Sequence, residues 1–179
     1  MQPHDPRPDF IASGHLLETT YFMAKHHIRF HAAENPTQPA IIMADTGRKV
    51  SYRELSSRAN QAARMIRRLG LESGDKVALL LENRVEFIEL CWAAINSGLV
   101  FVPISTHLKP DEASYITNNS GARVLFFSER TAAVASSTLS KSPELSIAIN
   151  VDDARAYTEP LAAEADHALD EEHRGIPMI

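Results

Sequence analysis

The sequence predicts an α/β domain, a mostly parallel sheet with flanking helices, on three observations. Val77-Ala78-Leu79-Leu80-Leu81 is an unbroken apolar run of the kind a strand buried on both faces shows, and Leu99 to Ile104 and Arg123 to Phe127 supply two further strands. Stretches with apolar residues at helical spacing alternate with these runs. The connections are short, so successive strands should pair in parallel through right-handed crossovers. A chain of 179 residues, 44% hydrophobic and 23% charged, is large enough to bury one such core.

Residues 1–16 read as a flexible Pro-rich tail, in which Pro3, Pro6 and Pro8 disfavour a helix, and residues 17–179 as the folded part. Leu17, Tyr21, Ala24, Ile28 and Ala32 predict a helix that ends before Asn35-Pro36. Ala40 to Met43 and Lys49-Val50 flank Asp45-Thr46-Gly47-Arg48, a hairpin whose turn takes a positive φ at Gly47. The following helix is the best marked. Ser51 and Glu54 form a Ser-x-x-Glu capping box, Leu55, Ala59, Ala62, Ile66 and Leu69 line one stripe, and Gly70 closes it. Arg53, Arg58, Arg64, Arg67 and Arg68 take the other faces and read as a solvated surface with aliphatic stems on the core edge, in preference to an anion site.

Gly74-Asp75-Lys76 turns into the strand at Val77. Asn83 is expected to start the next helix with Glu86 as its reciprocal cap, Phe87, Leu90, Cys91, Ala94 and Ile95 as its inner face, and Gly98 as its left-handed terminator. After the second buried strand, Pro110, Asp111 and Glu112 open a third helix anchored by Tyr115 and Ile116. Beyond the third strand, an Ala-rich helix over 130–139 and a strand at Leu145 to Ile149 complete the pattern. From Asp152 to Glu172 the chain is acidic and Ala-rich; this is read as a solvated connector, since nothing in it fixes the carboxylates on one rigid face for magnesium. Gly175 to Ile179 reads as a strand entering a loop.

The formal net charge of -5, with no long basic run, gives no reason to expect nucleic acid. One cysteine, Cys91, cannot form an internal disulfide, and its apolar neighbours suit a packed thiol, which fits a reducing compartment and a cytoplasmic protein. The first residues lack the order of a signal peptide, and no apolar run is long enough to span a bilayer.

Sharper sites were weighed against ordinary ones. His27 and His31 stand four apart, with His26 on another face, but no His-Glu-x-x-His pattern or cysteine joins them, so a half-exposed helix face is preferred to a metal site. Ser105-Thr106-His107 places a hydroxyl beside an imidazole past a strand end, without the Gly-x-Ser-x-Gly elbow of a hydrolase. Trp92 reads as core or subdomain interface, not as a ligand platform. The seven glycines are too scattered to cradle a phosphate. No catalytic, cofactor-binding or metal-ligating residue is therefore assigned.

Three ordered stretches resemble the N-terminal part of the adenylate-forming (AMP-binding) enzymes of the acyl-CoA synthetase type. They are Val50-Ser51-Tyr52-Arg53-Glu54-Leu55 with Arg58-Ala59-Asn60; Gly74-Asp75-Lys76-Val77-Ala78-Leu79 followed by Asn83-Arg84-Val85-Glu86-Phe87; and Ala93-Ala94-Ile95-Asn96-Ser97-Gly98-Leu99-Val100-Phe101-Val102-Pro103-Ile104. The resemblance implies that residues 17–179 are the N-terminal portion of an AMP-binding domain, truncated before the phosphate-binding loop. It further implies a complete ligase in which a carboxylic acid, such as a fatty acid, attacks ATP with Mg²⁺ to give an acyl-adenylate and is then passed to coenzyme A. The family's phosphate, adenine and ribose contacts lie further on, so this chain alone is expected to be inactive and to bind none of these cofactors tightly. Self-association through the face left open is a corollary, and a stand-alone interaction module or a decayed product is the alternative. One departure from the family is Lys109, where relatives often carry a capping Thr or Ser.

Overall fold

The computed structural model describes residues 27–169. The Pro-rich tail, the first turns of the first predicted helix, His26 and the predicted strand at Gly175 to Ile179 lie outside the described residues.

Helix α1 (Ile28–Glu34) ends at Asn35 as predicted. Strands β1 (Pro39–Ile42) and β2 (Lys49–Ser51) pair antiparallel around a turn in which Gly47 has φ 69°. Helix α2 (Tyr52–Arg68) starts at Ser51, whose Oγ accepts from the Glu54 N–H at 3.2 Å. The Glu54 carboxylate meets Arg48 at 3.9 Å. Then come β3 (Lys76–Leu80), α3 (Val85–Asn96), β4 (Val100–Pro103), α4 (Pro110–Ser120), β5 (Ala122–Phe127), α5 (Ala132–Lys141) and β6 (Ile147–Asn150). A π-type turn, Ala154–Thr158, leads into the short helix α6 (Glu159–Ala162).

The main sheet is parallel throughout, in the order β4-β3-β5-β6. Alternation along β3 and β5 explains their unbroken apolar character. Val77, Leu79, Val124 and Phe126 enter one core with Ala62 and Ile66 of α2, Leu90 and Ala94 of α3, and Leu161 of α6. Ala78, Leu80 and Leu125 enter the other core with Ala113 of α4 and Ala135 of α5. The result is a helix–sheet–helix sandwich, and the first face carries most of the apolar volume.

Several expectations are corrected. β4 is an edge strand, half-buried instead of buried on both sides. α3 begins at Val85 after Arg84, and the Glu86 carboxylate accepts from Arg84 Nε at 2.7 Å instead of capping Asn83. Its burial also differs: Val85, Glu89, Ala93 and Asn96 are covered while Ile95 is partly exposed, because α3 packs on α2 as well as on the sheet. In α4, Ile116 packs against the core as expected, but Tyr115 is 69% exposed, and Ala113, Ser114 and Thr117 are the buried residues. Lys109 gives α4 no side-chain cap, as expected, although the Glu112 carboxylate accepts from the Lys109 N–H at 2.8 Å. Finally, residues 152–169 are not a solvated connector: Tyr157, Leu161 and Leu169 are buried in the α2–α3 core.

Candidate functional site at the sheet's carboxyl edge

β3 connects through α3 to β4 on one side, while β5 connects through α5 to β6 on the other. The carboxyl ends of β3 and β5 therefore form the topological switch point, where open parallel sheets hold their ligands. Glu82 and Arg84 follow β3, Ser128 and Glu129 follow β5, and Asn150 and Asp152 close β6. Thr131 Oγ1 donates to the Leu80 carbonyl at 2.9 Å and accepts from the Ser128 N–H at 3.0 Å, tying the two strand ends together. Ser128 Oγ donates to Glu82 Oε1 at 3.0 Å. Arg84 reaches across to Asp152 at 2.7 Å, Asp152 Oδ2 accepts from the Glu129 N–H at 2.8 Å, and Asn150 donates to Glu129 at 3.0 Å.

The Arg84 hydrogen bond and the Glu129 N–H hold the Asp152 carboxyl below its usual range. Burial would raise Glu86, but the hydrogen bond and charge of Arg84 outweigh it and lower it. These groups are engaged with one another and brace the rim. Glu82 Oε2 is buried and has no hydrogen-bond partner among the described residues.

A second polar centre lies beneath, between α2 and α3. Glu89 is fully buried and pairs with Arg58 Nε. Burial raises the Glu89 carboxyl despite Arg58, whereas for Arg58 the hydrogen bond and charge of Glu89 overcome the effect of burial and hold the guanidinium protonated. Tyr157, from the π-type turn, is buried against Phe126 with ring centroids 6.4 Å apart, and burial next to the Glu89 charge raises its hydroxyl.

A third set ties α1 to the stretch after α6. Asn60 Nδ2 donates to the Asp166 carbonyl at 3.0 Å, and Asn96 Nδ2 donates to Asn60 Oδ1 at 3.1 Å. Asn96 Oδ1 is thereby left as an acceptor for His27 Nε2 at 3.0 Å. That direction assigns the proton to Nε2 and leaves His27 Nδ1 to accept from the Arg29 N–H at 3.2 Å, the N-cap of α1.

Of the clustered histidines within the described residues, His27 caps α1, and His31 stacks on Tyr52 with centroids 4.9 Å apart. Among the described residues no three His, Cys, Asp or Glu side chains are grouped so as to hold a metal. Ser105 Oγ accepts from the His107 N–H at 3.4 Å, a local turn and not a nucleophile–base pair. Trp92 packs in the core between α1, the hairpin and α3, edge-on to His27 at 5.0 Å. Cys91 is half-buried, and burial pushes its thiol up to about 11, an unreactive packed cysteine. The arginines of α2 depart most from expectation. Arg58 serves the buried Glu89, Arg64 donates to the carbonyls of Ala165, His167 and Ala168, and Arg68 pairs with Glu164 at 2.8 Å.

Fold and rim together define a three-layer α/β scaffold with its switch point braced. The family model described as "AMP-binding enzyme" matches residues 28–176, and the chain belongs to that family. It is similar to the long-chain-fatty-acid–CoA ligase FadD13 of Mycobacterium tuberculosis, 36% identical over 107 residues, which cover 60% of this chain and 21% of that protein. It is also similar to the 4-hydroxybenzoate–CoA/benzoate–CoA ligase of Rhodopseudomonas palustris, 36% identical over 122 residues, covering 68% of this chain and 23% of that protein. Among solved structures, the inhibitor-bound N-terminal domain of FACL13 from Mycobacterium tuberculosis superposes with a TM-score of 0.75 at 29% identity, covering 82% of this chain and 37% of that one. The chain therefore spans roughly a fifth to two-fifths of the lengths of these proteins.

Proposed function

We propose that this chain is the first α/β segment of an ATP-dependent acyl-CoA ligase, and that the ligase activates a carboxylic acid, most simply a fatty acid, through an acyl-adenylate. The observation that carries the reading is the joint one: the family match runs through residues 28–176, and the fold agrees with the N-terminal domain of FACL13 at a TM-score of 0.75. The chain's lone, packed cysteine supports a reducing, cytoplasmic setting. Among the described residues no helix is long and apolar enough to cross a membrane.

The described residues do not themselves fit ATP with Mg²⁺. The glycines with positive φ, Gly47, Gly70, Gly74, Gly98 and Gly121, sit in separate turns and form no nest of N–H groups. No three acidic or imidazole side chains are grouped for a cation. No step of the reaction is therefore assigned to these residues; their part is to hold the switch-point rim rigid. Carboxylate-dependent ATP–pyrophosphate exchange, run on the 179-residue chain and on the native protein purified from its source, tests the reading with a panel of fatty and aryl acids. Exchange by the native protein with fatty acids and none by the 179-residue chain is the expected pattern. Exchange by the chain alone, or by neither with any acid, would contradict it.

A further inference from the structure

Asn60, Gln61, Arg64 and Arg68 lie on one face of α2, and all four hold the stretch from Glu164 to Ala168. We propose that Arg64 is a positioning residue whose guanidinium fixes the backbone path of residues 165–168 across α2, between the buried Leu161 and Leu169.

The argument begins with what else could hold this stretch. Ala165, Asp166, His167 and Ala168 all have exposed side chains, so apolar packing does not fix them. Upstream, the chain is fixed by Tyr157 and Leu161, both buried. Between Leu161 and Leu169 the path is set by polar contacts to α2. Arg64 Nη1 donates to the Ala165 carbonyl at 2.9 Å and to the His167 carbonyl at 2.7 Å, and Nη2 donates to the Ala168 carbonyl at 2.9 Å.

Three carbonyl dipoles converging on one point repel one another unless a cation sits among them. The guanidinium suits the task, since it is planar, permanently charged and presents its donors in a rigid fork. Asn60 and Gln61 each add one bond to a neighbouring carbonyl, at 3.0 and 3.1 Å. Arg68 works differently: it pairs with the Glu164 carboxylate, at the near end of the stretch. Because Arg64 reads backbone and not side chains, it dictates a path and not a sequence.

The test is backbone ¹⁵N relaxation on the 179-residue chain, comparing native protein with Arg64→Met, Arg64→Lys and Arg68→Met. In the native protein the amides of 165–168 should show order parameters near ~0.85, and in Arg64→Met they should fall below ~0.6. The amides of β3, β5 and Tyr157 should not change. Arg64→Lys should fall in between, because a single ammonium can serve one or two of the three carbonyls, and Arg68→Met should leave 165–168 ordered. Unaltered order at 165–168 in Arg64→Met would overturn the proposal. So would loss of order spreading to Tyr157 and the sheet, or failure of Arg64→Met to fold, since either would make the guanidinium a support of the whole domain. These readouts involve neither ligand nor turnover, so they fail separately from the ligase reading.

Discussion

Replacing Arg58 by Met would strand the Glu89 carboxylate in the α2–α3 interface. Glu89 has no exposed surface, and its Oε2 has no hydrogen-bond partner among the described residues, so Arg58 is its principal compensation. Removing one partner of a buried ion pair costs about 3–5 kcal/mol, against about 5–15 kcal/mol for the whole stability of a typical domain. Glu89 answers by holding a proton, so the cost depends on pH.

Burial already raises Glu89 in the native protein, so the folded state binds that proton more tightly than the unfolded one. This contribution to stability is complete below the unfolded carboxyl pKa of about 4.3 and is lost as pH rises through the raised folded value. Without Arg58 the folded value moves higher still, and the penalty of Arg58→Met should be larger at pH 8 than at pH 5. The carboxylates that act in the opposite sense, Asp75, Glu86, Asp111 and Asp152, are common to both proteins and cancel in the difference except where Arg58 itself contributes to Glu86. Urea unfolding followed through Trp92, the single tryptophan, measures both values. The double variant Arg58→Met/Glu89→Leu should recover most of the loss, since an apolar pair of similar volume replaces a desolvated ion pair. A penalty under about 1 kcal/mol at pH 8, or a double variant no better than the single, would refute the view that this pair is desolvated and mutually dependent.

Two further outcomes follow from the rim and the packed helix. Asp152 is held low by Arg84 and the Glu129 N–H, so its contribution is present above the unfolded value of about 3.9 and is lost as pH falls through the folded one. Asp152→Asn should flatten the acid limb of the stability profile by up to about 1 kcal/mol, a figure kept small by partial exposure. Cys91, with its thiol near 11, should react with iodoacetamide at pH 7.5 far more slowly in the native protein than in urea, on the order of a hundredfold or more; equal rates would mean the thiol is not packed.

Much of the scaffold is legible in the sequence because it rests on local signals. The run from Val77 to Leu81 announces a strand covered on both faces, and the stripe from Leu55 to Ile66 matches the buried face of α2. In α4, Tyr115 stands two residues, about 200° of helix, from the buried Ala113 and so falls on the outer face, while Ile116 packs against the inner cluster. The cap at Asn83 is displaced because Arg84 draws Glu86 away to brace Asp152, a partner 68 residues distant. The same limit hides the roles of the α2 arginines: Arg64 finds its carbonyls 101 to 104 residues downstream, and nothing in the local pattern distinguishes it from the exposed Arg53. For the stretch after Asp152, composition points to solvent. Three widely spaced apolar residues, Tyr157, Leu161 and Leu169, are enough to bury its inner face.

The central claim is that residues 27–169 are scaffold, braced at the switch point and without a nucleotide site of their own. Calorimetric titration of the 179-residue chain with ATP in excess Mg²⁺ tests it most directly. The account predicts no saturable heat up to millimolar nucleotide. Stoichiometric binding with a Kd of about 100 μM or tighter, about −5.5 kcal/mol, would contradict it and place phosphate contacts within this chain.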